Sequence, residues 1–137
     1  MKEELLRVGT TYIPTLNVDL AAQWYVSKLD ASLNYQDEDK AILGFANQSF
    51  FLVKSSPNQS SNFIDAYGKE RFSMTFEVNG IEALEAIHKD FLEKGIKAGK
   101  IENRGHAGRN FVFADLDGNL FDVWSELSPD FKGKLLK

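Results

Sequence analysis

Asn110-Phe-Val-Phe-Ala-Asp-Leu-Asp-Gly-Asn-Leu-Phe-Asp122 is the stretch whose reading decides the fold. Aromatic and β-branched residues before Asp115 and after Asn119 are strand formers, and Asp115-Leu-Asp-Gly-Asn119 between them is a turn sequence tolerant of positive φ. Two strands, 110–114 and 120–124, are therefore predicted. Upstream, residues 96–101 supply a further strand. Before that, Ile81, Leu84, Ile87, Phe91 and Leu92 recur at helical spacing until Gly95 stops them. Phe72, Met74, Phe76 and Val78 alternate with Ser73, Thr75 and Glu77, the pattern of a half-buried strand leading into that helix.

The N-terminal half carries the same order of elements. Residues 8–14 read as a strand, and Asn17 supplies the side-chain acceptor that starts a helix over 18–29, with Leu20, Ala21, Trp24 and Leu29 near one face. Three short strands follow, at 32–35, 41–45 and 50–54, separated by Gln-Asp-Glu-Asp and Ala-Asn-Gln turns. Between the halves, residues 55–62 shift abruptly to Ser, Asn, Gln and Pro with no periodicity, as a solvated connection should.

The organisation is β-α-β-β-β repeated in pattern, although the copies share little literal sequence. The expected fold class is α+β: two paired βαβββ modules forming curved mixed sheets around a cleft, within a single domain spanning 1–137. The first module covers 5–54, the linker 55–70, the second module 71–127, and a C-terminal tail 128–137. Lys132, Lys134 and Lys137 in that tail read as a frayed terminus rather than a binding element.

Composition removes several function classes. Hydrophobic residues make up 43% and charged residues 26%, ordinary for a globular protein. Apolar runs fall short of the about 20 residues that span a bilayer, and Met-Lys-Glu-Glu-Leu-Leu-Arg is too acidic for a secretory signal, so the expected address is cytoplasmic with no membrane partner. The absence of cysteine removes disulfide scaffolds, thiolate metal sites and cysteine nucleophiles together. A formal net charge of -4 with scattered Lys and Arg argues against nucleic acid as a partner.

Four segments carry a resemblance: Leu16-Asn-Val-Asp-Leu opening the first helix, Trp24-Tyr25 within it, Phe76-Glu-Val-Asn-Gly-Ile opening the second, and the 110–122 hairpin. Together they resemble the vicinal oxygen chelate superfamily, which holds glyoxalase I, bleomycin-resistance proteins and extradiol dioxygenases. The resemblance covers nearly the whole chain. It implies that metal-using members hold their ion at four places, early in the first strand and in the last strand of each copy. Carried onto this chain, those places fall on Thr10, Phe51, Ser73 and Asp122. Only Asp122 is a usual ligand, whereas a catalytic metal needs about three imidazole or carboxylate donors. No metal and no other cofactor is expected.

Alternation along the strands puts Tyr12 beside Thr10, Thr75 and Glu77 beside Ser73, Val53 beside Phe51, and Leu120 and Trp124 beside Asp122. Apolar walls with a few placed polar atoms suit a small, partly aromatic ligand. For Phe51, Leu120 and Trp124 the competing reading is plain interior filling. Asp122, inside an apolar strand, must be paired; it is either a general base or ligand acceptor, or a structural partner for Arg109, Arg71 or a hydroxyl. His106 lies in Glu102-Asn-Arg-Gly-His-Ala-Gly-Arg109, a loop of the kind that often covers a cleft, or simply an exposed one. His88, among Glu85, Lys89 and Asp90, reads as a solvated helical residue.

Two functions follow. The first is a metal-independent small-molecule-binding protein similar to the bleomycin and other antibiotic-resistance members, whose ligand is aromatic or an antibiotic and which, as the resemblance implies, works as a homodimer. The second is a glyoxalase-like metal-dependent lyase, isomerase or dioxygenase, to which, without metal ligands, only general acid-base work by Asp122, Glu77 or His106 remains.

Overall fold

The structure is a computed structural model, described over residues 2–135. It divides into two compact units, Met1–Ser60 and Ser61–Lys137.

In the first unit β1 (Thr10–Thr15) leads into α1 (Val18–Leu29), then β2 (Ser32–Gln36), β3 (Lys40–Phe45) and β4 (Gln48–Lys54). The sheet order is β1-β4-β3-β2, with β1 parallel to β4 and the other pairs antiparallel. Asn17 caps α1 by accepting a hydrogen bond from Leu20 N at 3.0 Å, and Asp30 ends it in the left-handed region at φ 56°. The buried face of α1 is Val18, Ala21, Ala22 and Tyr25. This corrects the expected stripe: Leu20 is half exposed, and the i, i+3, i+4, i+7 set starts two residues earlier. Small Ala21 and Ala22 let the helix approach β3 and β4 closely enough for Tyr25 to meet Phe45, whose ring stacks on Phe50 at 4.4 Å. Ile13, Leu43 and Leu52 complete this core, each fully buried.

The second unit opens with a small hairpin, β5 (Phe63–Ile64) and β6 (Glu70–Arg71), which lies in the stretch expected to be linker except for Arg71. β7 (Thr75–Glu77), α2 (Ile81–Glu93), β8 (Asn110–Ala114), β9 (Leu120–Trp124) and α3 (Pro129–Leu135) follow. Its three-stranded sheet has the order β7-β9-β8, with β7 parallel to β9 and β8 antiparallel to it. Residues 96–101 do not form the expected regular strand. They follow the outer edge of β8 through isolated bridges, Ala98 to Phe113 and Glu102 to Asn110, with Gly99 N donating to Val112 O at 2.8 Å. The β-α-β-β-β order therefore survives with one broken member.

The hairpin turn between β8 and β9 is a polar knot. Asp115 Oδ1 accepts from Asp117 N and Asn119 N, both at 2.9 Å, and Gly118 takes φ 84°. Asn119, fully buried, accepts from Ser61 N at 2.9 Å, and Asn62 Oδ1 accepts from Leu120 N at 2.8 Å. Beneath the sheet, α2 buries Leu84 and sets the rings of His88 and Phe91 against Phe111 and Phe113. His88 is thus not a solvated residue: its ring lies 4.9 Å from that of Phe111, and Nε2 is 2.8 Å from Gly99 O. The expected C-terminal tail carries α3, begun at Ser128, whose carbonyl accepts from Lys132 N. Leu136 and Lys137 lie outside the described residues. Among the described residues, no helix is long and apolar enough to cross a membrane.

Candidate functional site

Each sheet packs one face against its helix and turns the other face away from it. In the second unit, Phe111, Phe113, Phe121 and Val123 are buried on the helix side, so alternation sends Asn110, Val112, Leu120, Asp122 and Trp124 to the helix-free face. Asp122 is its centre and is only 2% exposed. Parallel pairing sets Thr75 opposite it, and Thr75 Oγ1 donates to Asp122 Oδ2 at 3.0 Å. Asn110 Nδ2 donates to the same oxygen at 2.9 Å. Arg104 Nη2 stands 3.1 Å from Oδ1 in an ion pair, and among the described residues that oxygen has no other partner.

Of the expected structural partners of Asp122, the hydroxyl is present in Thr75, whereas Arg109 and Arg71 are engaged elsewhere. Arg109 turns away, donating from Nη1 to Gly108 O and from its backbone N to Ser125 Oγ. Arg71 pairs with Asp65 at 3.7 Å and lies over the Phe72 ring. Arg104 bridges two carboxylates: Nε and Nη2 donate to Glu102 Oε1 at 3.0 and 2.8 Å, while Nη2 faces Asp122. Its guanidinium also lies over Phe72, 5.7 Å from the ring centroid. Burial works against its charge, but the Glu102 and Asp122 carboxylates outweigh it and hold the guanidinium above its ordinary value.

The other expected residues separate. Ser73 is exposed and lies before β7. Both carboxylate oxygens of Glu77 are engaged by Ser128, at its backbone N and its hydroxyl, so this carboxylate anchors the start of α3. His106 is exposed; its Nδ1 is 2.8 Å from Ala107 O, and its ring stands edge-on to Trp124 at 5.7 Å. Trp124 Nε1 also donates to Ala107 O, which fastens the loop over the indole. Gly108 makes this contact possible at φ 77°, since a Cβ there would stand 2.5 Å from Ser125 Oγ and 3.0 Å from Trp124 Nε1.

In the first unit, Thr10 lies on β1 and Tyr12 pairs in register with Phe51 of β4, on the helix-free face. Their rings are 5.2 Å apart. The positions held by Thr75 and Asp122 in one unit are therefore held by an aromatic pair in the other. Of the residues not anticipated, Arg104 and Asn110 matter most. Asn110 was open to counting: a hairpin closed at 115–119 sets residue 112 opposite 122, which puts 110 on the same face.

No family model and no curated protein sequence matches the chain. Solved structures do. Lactoylglutathione lyase from Agrobacterium tumefaciens matches with a TM-score of 0.69 at 14% identity, over 89% of this chain and 95% of that one. A glyoxalase/bleomycin resistance protein/dioxygenase from Alicyclobacillus acidocaldarius matches with a TM-score of 0.65 at 19% identity, over 86% and 89%. Fosfomycin resistance protein FosX from Mesorhizobium loti matches with a TM-score of 0.64 at 12% identity, over 96% and 99%. The chain has the α+β fold of the glyoxalase and bleomycin-resistance structures, the vicinal oxygen chelate fold.

The four positions that the resemblance assigns to metal ligands do not fit a catalytic ion. Phe51 offers a ring already packed on Tyr12, Thr10 and Ser73 offer neutral hydroxyls, and Asp122 faces a guanidinium. Among the described residues, no group of three or more His, Cys, Asp or Glu side chains comes together to hold a metal.

Proposed function

We propose that the chain is a metal-independent small-molecule-binding protein, akin in role to the antibiotic-resistance proteins that share its fold, working as a homodimer in the cytoplasm. The observation that carries this is the engagement of Asp122: one oxygen accepts from Thr75 and Asn110, and the other faces Arg104. A divalent ion arriving there would have to displace a cation and two donors with one carboxylate in return, a poor exchange for its hydration shell. Thr75, Asp122 and Trp124 on the helix-free face of the second unit are the side chains this reading assigns to a ligand; Thr10, Tyr12 and Phe51 are the candidates on the corresponding face of the first. Ser73 and Glu77, two residues to either side of Thr75, and Arg109 and His106, in the 102–109 loop, are its further candidates.

A thermal-shift screen of antibiotics, aromatic metabolites and divalent metals tests it, because a ligand specific for the folded state raises the melting temperature. An organic ligand is expected to raise it, and nickel, zinc, manganese and iron are expected not to. Stoichiometric metal binding in equilibrium dialysis, abolished by Asp122→Ala, would overturn metal independence. Turnover of methylglyoxal with glutathione and added nickel or zinc would place the chain with the lyase instead.

A further inference from the structure

Among the described residues, two buried acceptors on the helix-free face of the second unit are under-satisfied: Asn110 Oδ1 has no hydrogen bond, and Asp122 Oδ1 has only the Arg104 ion pair at 3.1 Å. The Asn110 amide cannot resolve this by turning over, because its Nδ2 is committed to Asp122 Oδ2 at 2.9 Å and the flipped amide would set oxygen against carboxylate. Both residues are nine-tenths or more buried, and both belong to the face turned away from α2. Native interiors rarely leave such oxygens unpaired without a reason.

Beside these acceptors stands one donor, the Arg104 guanidinium, held by two carboxylates. Turning away from Asp122 would leave it the Glu102 pair and expose Asp122 Oδ1. Two acceptors next to one strong donor complement a group that presents N–H and C=O together. We propose, resting on the small-molecule reading above, that this face binds a neutral primary carboxamide or urea-like head. Its N–H groups are given to Asn110 Oδ1 and Asp122 Oδ1, its carbonyl accepts from Arg104, and its apolar body rests on Val112, Leu120 and Trp124. A carboxylate head brings acceptors to acceptors, and an ammonium head meets Arg104 with like charge; both are disfavoured.

Benzamide, benzoate and benzylamine share one ring and differ in the head, so they serve as probes of the ¹⁵N-labelled full chain by NMR. Benzamide is expected to shift the Asn110 side-chain amide, the Arg104 Nε–H and the Trp124 indole N–H, and to bind about tenfold more tightly than the other two, as polar sites reject analogues that leave their groups unpaired. Asn110→Leu is expected to remove that preference; the wild-type series stands alone if this variant does not fold. If the three probes shift these signals with equal affinity, the head-group assignment falls while small-molecule binding stands. If none shifts them, the site itself is overturned, whatever the thermal screen finds elsewhere.

Discussion

Thr75 donates to Asp122 at 3.0 Å across the parallel pairing of β7 and β9, at the register point where Tyr12 and Phe51 pack ring to ring in the other unit. One unit thus fills this position with apolar surface and the other with a carboxylate that needs partners. Asp122→Ala leaves Arg104, Asn110 and Thr75 without their shared acceptor. It is expected to lower stability by about 3 kcal/mol in urea unfolding. Asp122→Asn, which keeps an acceptor for Thr75, is expected to cost less than half of that.

Gly108 is the point where the 102–109 loop closes over Trp124. Gly108→Ala combines a positive φ with contacts below 3.0 Å at Ser125 Oγ and Glu126 Cγ, so the loop must lift or the strand end must shift. A loss of about 2 kcal/mol is expected. Release of the indole N–H from Ala107 O should also change Trp124 fluorescence, and an unchanged emission maximum would show that the loop had not moved.

The β3–β4 hairpin turns through Ala46 and Asn47, both in the left-handed region at φ 51° and 59°. Ala46 has no side-chain compensation for that conformation. Replacing the pair by Asn-Gly, the residues that a type I′ turn favours, is expected to stabilise the chain by about 1 kcal/mol, measured by thermal or urea unfolding.

Asp37, in the β2–β3 turn, is held well below the usual carboxylate range by the Lys40 ammonium, the Tyr35 hydroxyl and the Asp39 backbone N–H. Its folded-state value lies below its unfolded one. The stability it contributes is therefore complete above the unfolded carboxylate pKa and is lost as pH falls towards the folded value. Asp37→Asn is expected to flatten the stability profile below about pH 4, while leaving its shape at neutral pH unchanged.

Elements with strong local signals were legible in the sequence. α1 runs over Val18–Leu29 behind its Asn17 cap, and β8 and β9 flank their Asp-rich turn as the residue pattern requires. Misreadings arose where tertiary contacts decide. The Phe72–Val78 alternation shortens to Thr75–Glu77. Residues 96–101 pair only in part, and α3 depends on the remote Glu77 at its start. Within the candidate site, the apolar strand around Asp122 requires partners for its carboxylate, and Thr75, Asn110 and Arg104 engage it. Arg104 was hidden because its role depends on how the 102–109 loop folds back, and no periodicity encodes that.

Asn119 of the turn holds Ser61, 58 positions away in the chain, and Gly118 and Leu120 hold Asn62. The second unit is therefore laced shut: its opening residues are gripped by its final hairpin, and neither end is secure until the other arrives. Loss of the Asn119 amide would free Ser61 and leave Asn62 alone to tie the leading segment to the hairpin, a loosening that faster amide hydrogen exchange at Ser61 would register.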